Sequence, residues 1–190
     1  MIVKNKIVSV ALLIATLGLA SGDLFRSGVQ AGDIAHVSVA PEFTHDDPND
    51  WINSPPLQLQ ELRGKVVLLD LWTFDCWNCY RSFPWLKSVE QRFGDSGFTV
   101  IGVHTPEFDH ERVRANVIRK TREFALEHPV MMDNDYSYWK ALHNRYWPTF
   151  YLIDKQGRLR ARYVGETHRG ERRAIDIEAK IAQLLAEPPG

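Results

Sequence analysis

The stretch LLDLWTFDCWNCYRSFP, residues 68–84, decides the fold of this chain. It carries both cysteines of the 190-residue sequence, Cys76 and Cys79. Its first five residues continue from Val66 and Val67 in a near-continuous apolar run, VVLLDLW at 66–72. Such a run is typical of a strand buried on both faces. After Cys79, apolar residues recur at spacings of three and four as far as Phe93, and this spacing predicts a helix. Both cysteines are therefore expected at a strand-to-helix turn.

Two cysteines that enclose two residues have three physical interpretations: a structural staple, half of a metal site, or a reversible redox pair. A staple is a poor interpretation, because closing so small a loop restricts the unfolded chain little. A zinc site needs two further ligands, and His104 and His110 stand far from Cys79 for a zinc-finger pattern. We therefore expect no metal and interpret the pair as redox-active.

The predicted turn gives the two thiols different tasks. The first cysteine falls at the helix N-terminus, where unpaired backbone N–H groups and the helix dipole favour an anion. A thiolate is the nucleophile in disulfide exchange, so Cys76 is predicted to attack the disulfide of a partner. Cys79 lies one turn further along and is predicted to resolve the mixed disulfide.

The N-terminal residues have a pattern of their own. Lys4 and Lys6 precede an uncharged run at 7–20, as in a secretory signal peptide, and the run is short for a bilayer span. Residues 1–31 are predicted to be a signal peptide or membrane anchor plus linker; an N-terminal helix of the folded domain is the alternative. Either form of export places the protein, secreted or anchored, in the periplasm or an equivalent extracytoplasmic space, where disulfides persist.

The residues that follow contain few regular patterns before the cysteine stretch. No sustained period appears in 21–40, which we interpret as a linker, and 32–56 as a whole are assigned to an irregular segment. Leu57 and Leu59 alternate with glutamines, which predicts a short strand. Residues 57–190 are predicted to form one folded domain.

The remaining predicted elements alternate between strands and helices. They are a strand at 98–103, a helix at 111–127, a short strand at 129–132, a short helix within 136–146, a hairpin at 149–164 and a helix at 172–186. This order predicts an α/β fold with a mixed central sheet and helices on both faces. The formal net charge of −1 shows no excess of basic residues for binding nucleic acid, so no nucleic-acid partner is expected. Membrane contact is expected only through the N-terminal segment.

Three segments together resemble a known family. ELRGKVVLLDLWTFDCWNC at 61–79, VIGVHTPEF at 100–108 and NRYWPTFYLID at 144–154 are similar to the thioredoxin superfamily. Within it they resemble the TlpA/ResA-like branch, and in particular the thioredoxin-like domain of DipZ-type proteins. The resemblance implies a thioredoxin-like fold and a thiol–disulfide oxidoreductase that works without a cofactor.

The resemblance also implies roles for individual residues. Asp70 matches the buried acid behind the disulfide and would accept the proton of Cys79 during resolution. Pro148 matches the cis-proline that faces the disulfide, and Trp147 before it would pair with an extended substrate segment. The substrate-binding residues expected around the pair are Trp77, Asn78, Trp147 and Thr149.

Two acidic residues are candidates for tuning the thiols. Asp75 stands where the family often has tryptophan, and a negative charge beside Cys76 should raise the pKa of that thiol. A less stabilised thiolate makes the disulfide a weaker oxidant, which predicts a reducing role. Glu107 lies in a region where related proteins place an acid near the disulfide; capping the next helix is its alternative role.

Two other functions remain open at this point. Thr73, three residues before Cys76, matches part of a peroxiredoxin pattern and allows a thiol peroxidase. A non-catalytic copper or haem-protein chaperone would use the thiols as ligands. For the oxidoreductase, the expected partners are disulfide-containing exported proteins, apocytochrome c among them, and a CcdA/DsbD-like membrane electron donor.

Overall fold

The computed structural model describes residues 33–188 of the chain, with side chains described from residue 38. Across that range, no helix combines the length and apolar character that crossing a membrane requires. The predicted signal peptide or anchor at 1–31 lies outside the described residues, and the domain boundaries at 31 and 56 stay predictions.

Seven strands form one mixed sheet. They are β1 Asp33–Val39, β2 Trp51–Ile52, β3 Val66–Trp72, β4 Phe98–His104, β5 Val130–Met132, β6 Thr149–Ile153 and β7 Arg158–Val164. Their order across the sheet is β1-β7-β6-β3-β4-β5-β2, so β3 lies at the centre. β3, β4 and β5 are parallel, whereas the other neighbouring pairs are antiparallel.

Four helices cover the two faces of the sheet. They are α1 Trp77–Phe93, α2 Arg114–Glu123, α3 Ser137–Ala141 and α4 Arg172–Ala186. One buried cluster holds residues of α1, α2 and α4, among them Leu86, Val117 and Ile177. A second cluster, on the opposite face, includes Trp51 and Tyr138, the latter in α3. These layers confirm the predicted thioredoxin-like α/β architecture.

The alternation of side chains along β3 accounts for its continuous apolar sequence. All seven residues of the strand are buried. Val66, Leu68 and Trp72 belong to the cluster under α1, and the intervening positions Val67, Leu69 and Leu71 belong to the cluster under α3. By the same period, Asp70 faces the layer that contains α1. A strand covered on both faces was the prediction from VVLLDLW, and it is confirmed.

Several other predicted elements are confirmed with small changes of boundary. The hairpin of β6 and β7 and the helix at 172–186 occur where the sequence placed them. The helix predicted over 111–127 is shorter: a 3₁₀ turn at Asp109–Arg112 comes first, and α2 covers Arg114–Glu123. The turn separates from the helix because Val113 between them is extended, with φ −77° and ψ 110°.

Two sequence interpretations were wrong. The strand predicted around Leu57 and Leu59 is a 3₁₀ helix, Leu59–Leu62, whose two leucines are buried. Their spacing of three matches the period of a 3₁₀ turn, which outweighs the alternation with glutamines. The region interpreted as a linker contains β1, which pairs with β7 at the sheet edge. An edge strand pairs on one side only and can form without an apolar period of its own.

Candidate redox site

The two cysteines occupy the predicted turn and form a disulfide with a Cα–Cα distance of 5.3 Å. Cys76 is the N-cap residue of α1, and its Sγ accepts a hydrogen bond of 3.2 Å from the N–H of Cys79. Cys79 is buried at 1% exposure, whereas Cys76 is partly exposed. Of the two residues Cys76 is thus the more exposed, and its role as the attacking thiol stays a prediction.

The start of α1 favours a thiolate on Cys76. Its first turn contains no acidic residue, so the partial positive charge of the helix N-terminus is not neutralised there. The N–H groups of Cys79 and Tyr80 both point back at Cys76, donating to its carbonyl at 3.1 Å. When the disulfide opens, the N–H of Cys79 is already placed to donate to the released sulfur.

Asp70 lies inside the molecule on the strand that leads into this turn. Its side chain is buried, and neither carboxylate oxygen has a hydrogen-bond partner among the described residues. Burial raises the pKa of Asp70 from 3.8 to about 8. Leu68 and Trp72, two positions away on either side, belong to the same cluster as Cys79. With this pKa the carboxyl group is mostly protonated at neutral pH, and its ionised fraction is basic enough to accept a proton from a thiol, the role predicted for it.

A second loop approaches the pair with a cis peptide bond between Trp147 and Pro148, as the resemblance implies. Thr149 is buried and donates its hydroxyl to the carbonyl of Tyr146 at 2.7 Å. The carbonyl of Pro148 accepts the N–H of Gly165 at 2.9 Å, and Gly165 has φ +101°, which favours glycine. The indole of Trp147 packs against that of Trp139 at a tilt of 37°, with the ring centroids 4.4 Å apart. The substrate-binding role of this loop stays a prediction.

Trp77 and Asn78, between the cysteines, are exposed. The indole of Trp77 is 66% exposed and stacks on Tyr80 at 5.4 Å. An open cleft of about 340 Å³ adjoins this pair of rings. It is lined by Phe74, Asp75, Cys76, Trp77, Tyr80, Lys120, Glu123 and Phe124. Exposed aromatic rings beside a reactive sulfur suit contact with a protein segment, the role predicted for Trp77 and Asn78.

The acidic candidate Asp75 does not stand alone. Its Oδ2 lies 2.6 Å from Nε2 of His110, and both side chains are about half exposed, at 43% and 54%. The imidazole of His110 also packs against Phe74 and Phe108. The carboxylate of Asp75 is thus paired with an imidazole, and its tuning role stays a prediction.

The acid that reaches the active-site loop is Glu111, which the sequence interpretation did not single out. Its side chain is fully buried. Oε1 accepts from the hydroxyl of Thr73 and from the N–H of Asp75, the latter at 3.1 Å. Oε2 accepts from the N–H groups of Glu107 and Phe108 at 2.6 and 2.7 Å. Glu107 itself has an exposed side chain, and its tuning role stays a prediction.

His104 lies at the end of β4 beside this network. It is buried, and desolvation lowers the pKa of its imidazole to about 4, against a smaller raising effect of Glu111. The ring is therefore neutral at physiological pH. Its Nε2 lies 3.4 Å from the hydroxyl oxygen of Thr73. Thr73 is fully buried and donates its hydroxyl hydrogen to Glu111, so this hydrogen is not available to a peroxide at Cys76.

A separate group of potential metal ligands lies away from the cysteines. Nε2 of His45 is 3.3 Å from both Asp133 and Asp135, and ligand atoms of the three residues lie within 4.8 Å of one another. The buried Asp133 already accepts hydrogen bonds from the N–H groups of Tyr138 and Trp139. The hydrogen bonds that Asp133 accepts from the start of α3 account for its inward position.

Comparison with known proteins agrees with the site. The Redoxin family model matches residues 37–179 of the chain. Protein DipZ of Mycobacterium tuberculosis is 44% identical over 119 residues, which cover 61% of this chain but 17% of DipZ. Thiol-disulfide oxidoreductase ResA of Bacillus subtilis is 26% identical over 147 residues, covering 77% of this chain and 76% of ResA. The chain therefore corresponds to about a sixth of DipZ and to most of ResA.

A solved structure supports the same assignment. The crystal structure of a thioredoxin-like superfamily protein superposes with a TM-score of 0.70 and 29% sequence identity. The match covers 80% of this chain and 99% of that protein. Together with DipZ and ResA, it confirms the predicted resemblance to the TlpA/ResA-like branch, close to DipZ.

Proposed function

Because this chain belongs to the redoxin family, we propose that it works outside the cytoplasm and reduces disulfide bonds in exported proteins. The broader class, a thioredoxin-like thiol–disulfide oxidoreductase with the pair Cys76–Cys79, is confirmed by the family match and its relatives. The observation that carries the proposal is the asymmetry of the pair: a partly exposed Cys76 caps α1 and a buried Cys79 lies behind it.

The exchange proceeds in two steps. The Cys76 thiolate attacks a disulfide of the substrate, a new S–S bond forms between them, and the other substrate sulfur leaves as a thiolate. Cys79 then loses its proton to Asp70 and attacks Cys76, which closes the intramolecular disulfide and releases the second substrate thiolate. Two electrons pass from the dithiol to the substrate, and its two sulfurs take up protons. The protonatable carboxyl of Asp70 supports this assignment.

The reducing direction is supported by the charges around the turn. Asp75 precedes the nucleophile, and the carboxylate of Glu111 accepts a hydrogen bond from the backbone N–H of Asp75. Negative potential near Cys76 disfavours the thiolate and hence the dithiol, which stabilises the disulfide relative to a strongly oxidising pair.

A reductant outside the cytoplasm has to be reduced again after each exchange. A CcdA/DsbD-like membrane protein is the class of donor that would return two electrons to the Cys76–Cys79 disulfide. The apolar run at 7–20, with its preceding lysines, supports export of the chain. Apocytochrome c and misoxidised exported proteins are the substrate classes we propose.

Trapping the mixed disulfide tests this function in cells. A Cys79→Ala variant lacks the resolving thiol, so we expect Cys76 to retain substrates as adducts that dithiothreitol releases, identified by mass spectrometry. The double variant Cys76→Ala/Cys79→Ala is the matched control and should retain none. Exported proteins among the trapped partners are the expected result; trapping of cytoplasmic proteins alone, or of none, would contradict the proposal.

A further inference from the structure

We propose that Glu111 is a positioning residue for Cys76, which holds the active-site turn in place and biases the cysteine pair towards the disulfide. The inference rests on the proposed function only in taking Cys76–Cys79 as a reversible pair. It assigns a task to a carboxylate that the exchange steps themselves do not use.

The first argument is geometric. The turn at 73–76 connects β3 to α1 and is closed by a hydrogen bond of 3.3 Å from the N–H of Cys76 to the carbonyl of Thr73. Glu111 binds this turn twice, through the hydroxyl of Thr73 and the N–H of Asp75. Its other oxygen binds Glu107 and Phe108 in the loop after β4. One carboxylate thus ties the turn that presents Cys76 to the neighbouring strand's loop.

The second argument concerns the cost of burial. A carboxylate withdrawn from water is strongly unfavourable unless hydrogen bonds replace its hydration. Glu111 is fully buried and accepts four hydrogen bonds, two at each oxygen. Four donors match the two oxygens of a carboxyl group, and an amide cannot replace it, because its NH₂ would meet two donors.

The third argument gives the sign of the effect. The carboxylate of Glu111 binds the N–H of Asp75, the residue that precedes Cys76. Because Glu111 is buried, its charge acts through a medium that screens it less than water does. It disfavours the Cys76 thiolate in the dithiol form and has no such effect on the neutral disulfide. Loss of this charge should make the pair more oxidising, whereas loss of one donor to the carboxylate should leave more of the charge uncompensated and make the pair more reducing.

Redox titration of the purified protein against glutathione at fixed pH tests these signs. For Glu111→Gln we expect the equilibrium constant for oxidation to fall about tenfold, which is about 30 mV for a two-electron couple. Thr73→Val removes one hydrogen-bond donor to Glu111 and should shift the equilibrium constant in the opposite direction. If Glu111→Gln does not fold, the Thr73→Val variant alone tests the inference. Thr73→Ser keeps the hydroxyl and should restore the wild-type value.

A purely structural role is separated by measuring unfolding in both redox states. If Glu111 only supports the fold, Glu111→Gln lowers the free energy of unfolding equally in the oxidised and reduced forms, and the midpoint stays unchanged. Glu127→Gln removes an exposed carboxylate that lines a different cleft and should leave the midpoint within twofold of the wild type. Unchanged midpoints in Glu111→Gln and Thr73→Val would overturn the inference, while a wild-type pair that does not exchange with glutathione would overturn the proposed function as well.

Discussion

Asp70 shows how one buried side chain links stability to chemistry. The residue is placed by the period of β3 on the face of the sheet that carries α1, where no donor among the described residues reaches its oxygens. The proton that it retains up to a pH of about 8 lowers the cost of this burial. The family resemblance predicted this buried acid, and an aspartate inside an apolar strand is costly unless it has a task there.

Replacement of Asp70 by asparagine should change how stability depends on pH. The pKa of Asp70 is about 8 in the folded chain against 3.8 ordinarily, so from pH 4 to 8 the unfolded state releases a proton that the folded state keeps. Folding stability contributed by this group is complete below pH 4 and declines by about 1.4 kcal/mol per pH unit up to pH 8.

We expect Asp70→Asn to be more stable than the wild type by roughly 4 kcal/mol at pH 7 and nearly equal at pH 4. Urea unfolding of the oxidised protein across this range measures the difference, with the exposed Asp95→Asn as control. A wild type and an Asp70→Asn variant with parallel pH profiles would contradict the burial argument.

Glu111 is a residue of the site that the sequence alone did not identify. In the sequence it stands in a charged stretch, DHER at 109–112, and resembles the first turn of a surface helix. Its inward orientation depends on the 3₁₀ turn that separates these residues from α2 and on donors from Thr73 and Asp75, which are distant in sequence. Glu107, exposed on the same loop, was the more visible candidate.

Among the elements, β4 is constrained by how closely the layers approach. Gly102 pairs with Asp70 across β3 and β4. A Cβ at this position would lie 3.0 Å from Nε1 of Trp72, 3.1 Å from Cγ2 of Val130 and 3.3 Å from Nε2 of His128. All three neighbours are buried, so none can move into solvent.

Gly102→Ala should therefore destabilise the protein by about 1–3 kcal/mol through overpacking, although alanine removes the entropic cost of glycine. Chemical denaturation followed by tryptophan fluorescence measures the loss. Gly94→Ala is the matched control, because that glycine has φ −52° and nothing within 4 Å of the added methyl group. Equal stability of the two variants would show that the layers at β4 adapt more freely than the structure indicates.

Strong periodic patterns predicted the long elements well. The helix at 172–186 and the strand at 66–72 match their predicted bounds, because each carries one unbroken period. The short elements were harder: a two-residue strand such as β2 has no period to detect, and β1 is stabilised by pairing with β7 rather than by its own pattern. Such elements depend on tertiary contacts.

At the scale of the whole molecule, the fold brings four loops to one edge of the sheet. The carboxyl ends of parallel β3 and β4 carry the cysteine turn and the loop of Glu111, and ligand sites in open α/β sheets lie outside such ends. The cis-Pro148 loop and Gly165 join them through the hydrogen bond between their backbones. Motif resemblance predicted the cysteine turn and the cis-Pro148 loop, while the role of the β4 loop emerged only from the contacts of Glu111.

The redox potential of the Cys76–Cys79 pair tests the central claim most directly. Equilibration of the purified protein with dithiothreitol and glutathione buffers should give one two-electron transition, since the chain has two cysteines. The account predicts a midpoint nearer that of thioredoxin, about −270 mV, than that of the strong oxidant DsbA, about −120 mV. A midpoint near −120 mV, or a disulfide that neither buffer reduces in the folded protein, would contradict it.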